Sequence, residues 1–95
     1  MIFVINDLKY DTDKMEKISD KVEKAYKAQT FLGEYTTRCD CTLWRSKKGR
    51  WLLTHDKPGY SSHFAEAIEE IEAKELLKKY DLEVYEKMFE PLEEA

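Results

Sequence analysis

Apolar and polar residues alternate most clearly in the middle of the chain, where strand-like runs at 39–46 and 50–55 flank a short loop that ends at Gly49. A three-residue loop whose last residue is a left-handed glycine is a common hairpin connection. Such a loop places Ser46 opposite Arg50 and fixes the register of the whole hairpin. Because successive side chains of a strand point to opposite faces, we predict that one face forms the core, namely Cys39, Cys41, Leu43, Trp51, Leu53 and His55.

A second pattern, nearer the start of the chain, is typical of an amphipathic helix. Behind the N-cap candidates Asp11, Thr12 and Asp13, apolar residues recur at spacings of three and four with charged residues between them. We therefore predict a helix over about residues 12–28 whose buried face is Met15, Ile18, Val22, Ala25 and Tyr26.

The last third of the chain predicts two more helices. The apolar residues of 62–80 do not share one helical face, because their periodicity shifts near residues 68–72. One continuous helix over this range would therefore point lysine and glutamate side chains toward the core. We expect an irregular or briefly extended segment to about Ile68 and then a helix over about 69–80. Asp81 is the candidate N-cap of a last helix, whose predicted buried face is Leu82, Tyr85, Met88 and Phe89.

These elements predict one α+β domain of 95 residues, with a small antiparallel sheet centred on the long hairpin at 38–56 and three helices packed on it. Residues 2–10 read as a small hairpin around Asn6-Asp7, since both residues tolerate the left-handed conformation of tight turns. Residues 56–59 read as a turn, and residues 91–95 are expected to fray.

Charge is distributed unevenly along the chain. The net charge is −4, but residues 1–36 carry −1, residues 37–57 carry +4 and residues 58–95 carry −7. Such asymmetry predicts a polarised surface. No apolar run approaches the roughly 18 residues that span a bilayer, so we expect a cytoplasmic protein that does not act on a membrane.

Cys39, Cys41, His55 and His63 have the chemistry of zinc ligands. Residues two apart on a strand lie about 6.5 Å apart, which is too far for two thiolates on one zinc ion. We therefore predict buried thiols rather than a metal site, and no cofactor. The sequence also contains no nucleophile elbow, phosphate loop or assembled triad pattern, so we predict that the protein is not an enzyme.

The strongest functional signal is the tip of the central hairpin, where indoles and cations crowd together. Trp and Arg are favoured at protein interfaces, and aromatic and basic residues together also suit stacked bases and phosphates. An ordinary basic hairpin that protects a sheet edge gives the same pattern. We predict the binding residues to be Trp44, Arg45, Lys47, Lys48 and Arg50.

Three segments of the chain resemble a group of small proteins carried by phages and integrative elements of Gram-positive bacteria. They are Leu8-Lys9-Tyr10-Asp11-Thr12, the run from Trp44 to Leu53, and Glu72-Ala73-Lys74-Glu75 with Tyr85–Phe89. The chain departs from the group at residues 55–59, where the others have a glycine-rich loop. The resemblance implies an accessory role, of which an anti-CRISPR inhibitor of a host defence complex is the most specific version.

Together these observations predict a non-enzymatic protein that binds another protein, through either the basic hairpin or the acidic helices of the last third. The alternative is an accessory protein that binds nucleic acid through the basic hairpin. Phosphate contacts make affinity fall steeply with salt, whereas a packed protein interface responds less.

Overall fold

The computed structural model describes the backbone of residues 1–56 and 63–95, and the side chains of these residues except at 27–30, 56, 63 and 64. Within these residues the strands pair as a two-stranded sheet, β1-β2, and as a four-stranded antiparallel sheet in the order β3-β4-β5-β6. The α+β class is therefore confirmed. The elements are β1 (Ile2–Ile5), β2 (Leu8–Asp11), a short 3-10 turn (Thr12–Lys14), β3 (Glu16–Thr30), β4 (Gly33–Arg45), β5 (Trp51–Asp56), β6 (His63–Ile68), α1 (Glu70–Tyr80) and α2 (Leu82–Met88).

The small hairpin predicted over residues 2–10 is confirmed as β1 and β2. Asn6 and Asp7 have φ angles of 51° and 61°, which is the conformation of a type I′ turn. This turn places Ile5 opposite Leu8. The backbone twist of such a turn matches the right-handed twist of the two strands, so two residues are enough to connect them.

The register predicted for the central hairpin is also confirmed. Cys41 pairs with His55 and Arg45 with Trp51, and Gly49 closes the loop with a φ of 84°. The face predicted to form the core is buried, and it packs against α1 and α2 through Ala73, Leu77 and Tyr85. The longest hairpin, however, is β3–β4 and not the predicted β4–β5.

The helix predicted over 12–28 is wrong, because this segment forms the long edge strand β3, and the structure describes two helices instead of three. The spacing explains the error. Ile18, Val22 and Tyr26 are four residues apart, and that spacing keeps side chains on one face of a helix and equally on one face of a strand. Two bulges between Lys17 and Val22 break the alternation further, and they hide the period of two that marks a strand.

The face of the sheet opposite the helices is also covered in part. Leu52 points to this face and has no exposed surface, and Tyr10 of β2 is only 5% exposed. Both lie outside the cluster beneath the helices, and β1 contacts β6. The β1–β2 hairpin therefore lies against the back of the sheet, beside the end that carries the β4–β5 loop.

The break predicted near residue 68 is confirmed, since β6 ends at Ile68 and α1 begins at Glu70. The last helix begins after Asp81 as predicted, but the Asp81 carboxylate does not cap it. That carboxylate is buried and accepts a hydrogen bond of 2.6 Å from the Ser19 hydroxyl of β3. The predicted burial of Leu82 is wrong, because this side chain is 43% exposed.

Two smaller predictions concern the ends of elements. The turn predicted at 56–59 falls mainly on residues 57–59, which lie outside the described residues. Residues 91–95 are exposed and have no regular secondary structure. Among the described residues, no helix has the length and the apolar content needed to cross a bilayer.

The bond between Ser19 and Asp81 joins β3 to the junction of the two helices, so its removal is expected to loosen both. Ser19→Ala leaves a buried carboxylate without its donor, which should lower the free energy of unfolding by about 1–3 kcal/mol. Urea unfolding of Ser19→Ala, Asp81→Ala and the double variant measures this. We expect the two single losses to overlap by about 1 kcal/mol or more, and strictly additive losses would contradict the assignment.

Candidate functional site: a basic cleft

A cleft of about 410 Å³ lies between the β1–β2 hairpin and the β4–β5 loop, a size that is ordinary for ligand sites. On the hairpin side it is lined by the whole of β2, Leu8–Asp11, and by Lys14 and Met15 from the turn that follows. On the other side it is lined by the loop residues Ser46, Lys47, Lys48 and Arg50.

Five cations line this cleft, and one carboxylate, that of Asp11, opposes them, which gives a net charge of +4. The Asp11 side chain already accepts a hydrogen bond from the backbone N–H of Asp13. None of the five cations forms an ion pair with another residue that the structure describes. All five are solvent-exposed, namely Lys9, Lys14, Lys47, Lys48 and Arg50.

The structure separates the five predicted binding residues into two groups. Lys47, Lys48 and Arg50 line the cleft, whereas Trp44 and Arg45 do not. The half-buried Trp44 donates its indole N–H to the Thr54 hydroxyl at 2.8 Å. The guanidinium of Arg45 lies 5.6 Å from the centre of the Trp51 ring, as expected for a cation–π contact that stabilises the end of the sheet.

The local sequence does not mark two cations of the cleft, Lys9 and Lys14, as binding residues. Lys9 was placed in the small hairpin, and Lys14 was placed on the charged face of a helix that does not form. The alternation of β2 does predict an outward Lys9, but it gives no sign that the hairpin lies beside residues 46–50. That proximity depends on packing between segments about 40 residues apart in the chain.

Three of the four residues considered as zinc ligands lie elsewhere, on the helix-facing side of the sheet, namely Cys39, Cys41 and His55. Cys39 and Cys41 are buried free thiols, and the Cys41 thiol donates a hydrogen bond to the Cys39 carbonyl. His55 stacks on Tyr26 at 4.2 Å between ring centres. The side chain of His63 lies outside the described residues, and the described ones include no group of three or more potential ligands placed to hold a metal ion.

A polar network crosses this same side of the sheet. Lys24 on β3 donates to both carboxylate oxygens of Glu66 on β6, at 2.8 and 2.9 Å, although two strands separate β3 from β6. The Tyr26 hydroxyl lies 3.2 Å from Nδ1 of His55 and 3.4 Å from Glu66. Burial raises the pKa of Tyr26, with the Glu66 charge contributing. Burial alone would lower the pKa of Lys24, but Glu66 outweighs it and the net shift is upward.

The charged groups of this network pair with one another across the sheet, so they tie the sheet together, although Glu72 Oε2 forms no hydrogen bond with a described residue. Glu72 of α1 adds a second carboxylate 3.6 Å from Lys24. The basic cleft is therefore the better candidate for a functional site. Comparison with protein-family models, curated proteins and solved structures finds no match for this chain.

Burial raises the pKa of the Cys41 thiol from 9.0 to about 11, and Cys39 adds to the shift. Between these two pH values the unfolded chain loses the thiol proton while the folded chain keeps it, so stability falls as pH rises. We expect the stability advantage of wild type over Cys41→Ala to shrink by about 1–2 kcal/mol between pH 8 and pH 11. Urea unfolding across this range tests it, and a constant difference would contradict it.

Proposed function

We propose that this chain is a non-enzymatic binding protein whose basic cleft takes an acidic segment of another protein. The observation that carries the proposal is the convergence on one cleft of five cations from three segments of the chain, none of which forms an ion pair with a described residue. Apolar side chains of Leu8 and Met15 lie among them, which favours a ligand that combines carboxylates with apolar groups.

The cations of the cleft differ from several other cations of the described residues, which form ion pairs with carboxylates, and this supports a ligand for the cleft. Lys24 is paired with Glu66, Arg38 with Glu23 and Lys87 with Glu83. Acids are abundant in the chain, with 20 against 16 Lys and Arg residues. At the cleft, five cations against the carboxylate of Asp11 give a positive potential, which attracts and orients an anionic partner.

The alternative is that the cleft binds nucleic acid, and the same five cations favour it. Single-strand binding without base specificity depends on aromatic side chains on which bases stack. Here Trp51 is 3% exposed and the Trp44 indole is bonded to Thr54. The tip of the β4–β5 hairpin therefore presents positive charge but no exposed indole ring on which a base could stack. This favours a protein partner over nucleic acid.

The resemblance to phage and integrative-element proteins gives the proposal a biological setting. In that setting the chain would be an accessory protein of a mobile element, and the acidic segment would belong to a host defence complex such as CRISPR. Occupation of a protein surface is sufficient for such an inhibitor, since no reaction is required.

A defined probe tests the proposed binding. We expect a fluorescent, capped hexapeptide of alternating glutamate and valine to bind the wild-type protein. Lys47→Gln with Lys48→Gln removes two of the five cations and should weaken that binding about three- to tenfold. Fluorescence anisotropy at several salt concentrations measures both quantities.

The matched control is Lys21→Gln with Lys87→Gln, which removes the same charge from exposed positions outside the cleft. Equal weakening by both pairs of substitutions would refute a specific site. A single-stranded oligonucleotide of the same net charge is the comparison ligand. If it binds more tightly than the peptide, with a steep loss of affinity in salt, the nucleic-acid alternative takes the place of the proposal.

Asp11 provides a test in the opposite direction. Among the described residues that line the cleft, its carboxylate is the one negative group, and Asp11→Asn keeps an oxygen that accepts from the Asp13 N–H. Removal of this repulsion should strengthen peptide binding about two- to fivefold. Anisotropy measures the affinity and thermal unfolding checks that the fold is retained, while unchanged or weaker binding would place the ligand elsewhere.

A further inference from the structure

We infer that the acidic segment binds in extended form, as an added β-strand along the free edge of β2; this inference rests on the proposed function. Strand addition gives affinity through main-chain hydrogen bonds and specificity through alternate side chains. The structure provides both parts at one place, because the strand edge and the cations line the same cleft.

The first part is the unpaired edge. β2 is hydrogen-bonded to β1 alone in its two-stranded sheet. In an antiparallel pair, residues whose backbone groups bond across the pair alternate with residues whose groups point away. Ile5 and Leu8 flank the two-residue turn and form a hydrogen-bonded pair. At the far end of the hairpin, the Thr12 N–H donates to the Met1 carbonyl at 3.0 Å. Hydrogen-bonded and non-hydrogen-bonded pairs therefore alternate without interruption along the whole hairpin.

It follows from this alternation that the backbone groups of Lys9 and Asp11 point away from β1, toward the free edge. Both residues line the cleft. Within the described residues, neither has a backbone hydrogen bond to an element beyond its own hairpin and the turn that follows. A strand added along this edge would form backbone hydrogen bonds with the N–H and C=O of Lys9, in the middle of the added strand.

The second part is the charge across the cleft from this edge. Side chains of an added strand alternate between its two faces, so every second residue faces the same way. Residues on one face of the added strand lie on the same side as the Lys9 side chain, and residues on the other face lie on the same side as the apolar Leu8. Lys47 and Lys48 line the opposite side of the same cleft and add to its positive charge. The ligand class is therefore an extended segment in which acidic and apolar residues alternate.

The β3 edge of the four-stranded sheet is a poorer template. β3 forms one edge of the four-stranded sheet, but two bulges interrupt its ladder between Lys17 and Val22. Bulges and charged residues are the usual devices that stop an edge from pairing with another chain. The edge of β2 contains four regularly paired residues without a bulge.

Amide hydrogen exchange gives a direct test with the same glutamate–valine hexapeptide as the probe. At saturating peptide, the Lys9 N–H should exchange about tenfold more slowly or slower still, because it gains a hydrogen-bond acceptor. The amide of Tyr10 bonds to β1 in the free protein, so its exchange should change little. Binding by side chains alone would leave the Lys9 amide unaffected and would overturn the inference.

A pair of variants at one position gives an independent test. Lys9→Gln and Lys9→Pro both remove the charge, but only proline removes the backbone donor, and proline is tolerated where that donor faces away from the sheet. We expect the peptide to bind Lys9→Pro about tenfold more weakly than Lys9→Gln. Equal affinity in two folded variants, as checked by thermal unfolding, would refute strand addition.

The outcomes separate this inference from the proposed function. Peptide binding that needs Lys47 and Lys48 but leaves the Lys9 amide unprotected would keep the basic cleft as the site and reject the added strand. Peptide binding that is insensitive to Lys47 and Lys48 would reject the cleft, and the strand along β2 with it. Protection of Lys9 together with loss of affinity in Lys9→Pro supports the inference.

Discussion

The fold depends on β4, which, like β5, is hydrogen-bonded along both of its edges. It pairs with β3 from Gly33 to Arg45 and with β5 from Cys41 onward. Because its backbone groups are satisfied on both sides, its inward residues are free to form the base of the core, and Leu43 is entirely buried there. The same strand ends at the loop that lines the basic cleft, so the packing of the core and the position of the candidate site are set by one element.

Charge is used differently at the two ends of this sheet. Toward the β3–β4 turn, Lys24 lies across the helix-facing side and bonds Glu66, which ties the two edge strands of the sheet together. At the opposite end, Lys47 and Lys48 are exposed, and no ion pair to a described residue holds them. A cation that forms an ion pair within the protein stabilises the fold but is less able to bind a ligand, whereas a cation without such a pair remains able to bind one. This contrast is the physical basis for proposing that the loop end binds a ligand.

The helix expected at 12–28 shows where reasoning from periodicity fails. Ile18, Val22 and Tyr26 satisfy a helix and a strand equally well, so the apolar residues do not distinguish the two. The deciding contribution is long-range, because β4 has an open edge that an extended partner satisfies and a helix does not. The local sequence likewise predicts that Lys24 is a solvated residue on the polar face of a helix. In the folded protein it forms a hydrogen bond with Glu66, which is 42 residues away in the chain. Local propensity is a weak constraint when such tertiary pairing is available.

The sequence by itself determined the central hairpin, its register and its buried face, since a three-residue loop at Gly49 and strict alternation leave one arrangement. It also determined the tight turn at Asn6-Asp7 and the change of element near Ile68, each of which is a local effect of backbone preference or apolar phase. Only the tertiary structure decided that residues 16–30 are a strand and that Lys9 and Lys14 join Lys47, Lys48 and Arg50 around one cleft. These outcomes depend on which surfaces pack against each other, and neither periodicity nor composition of a single segment contains that information.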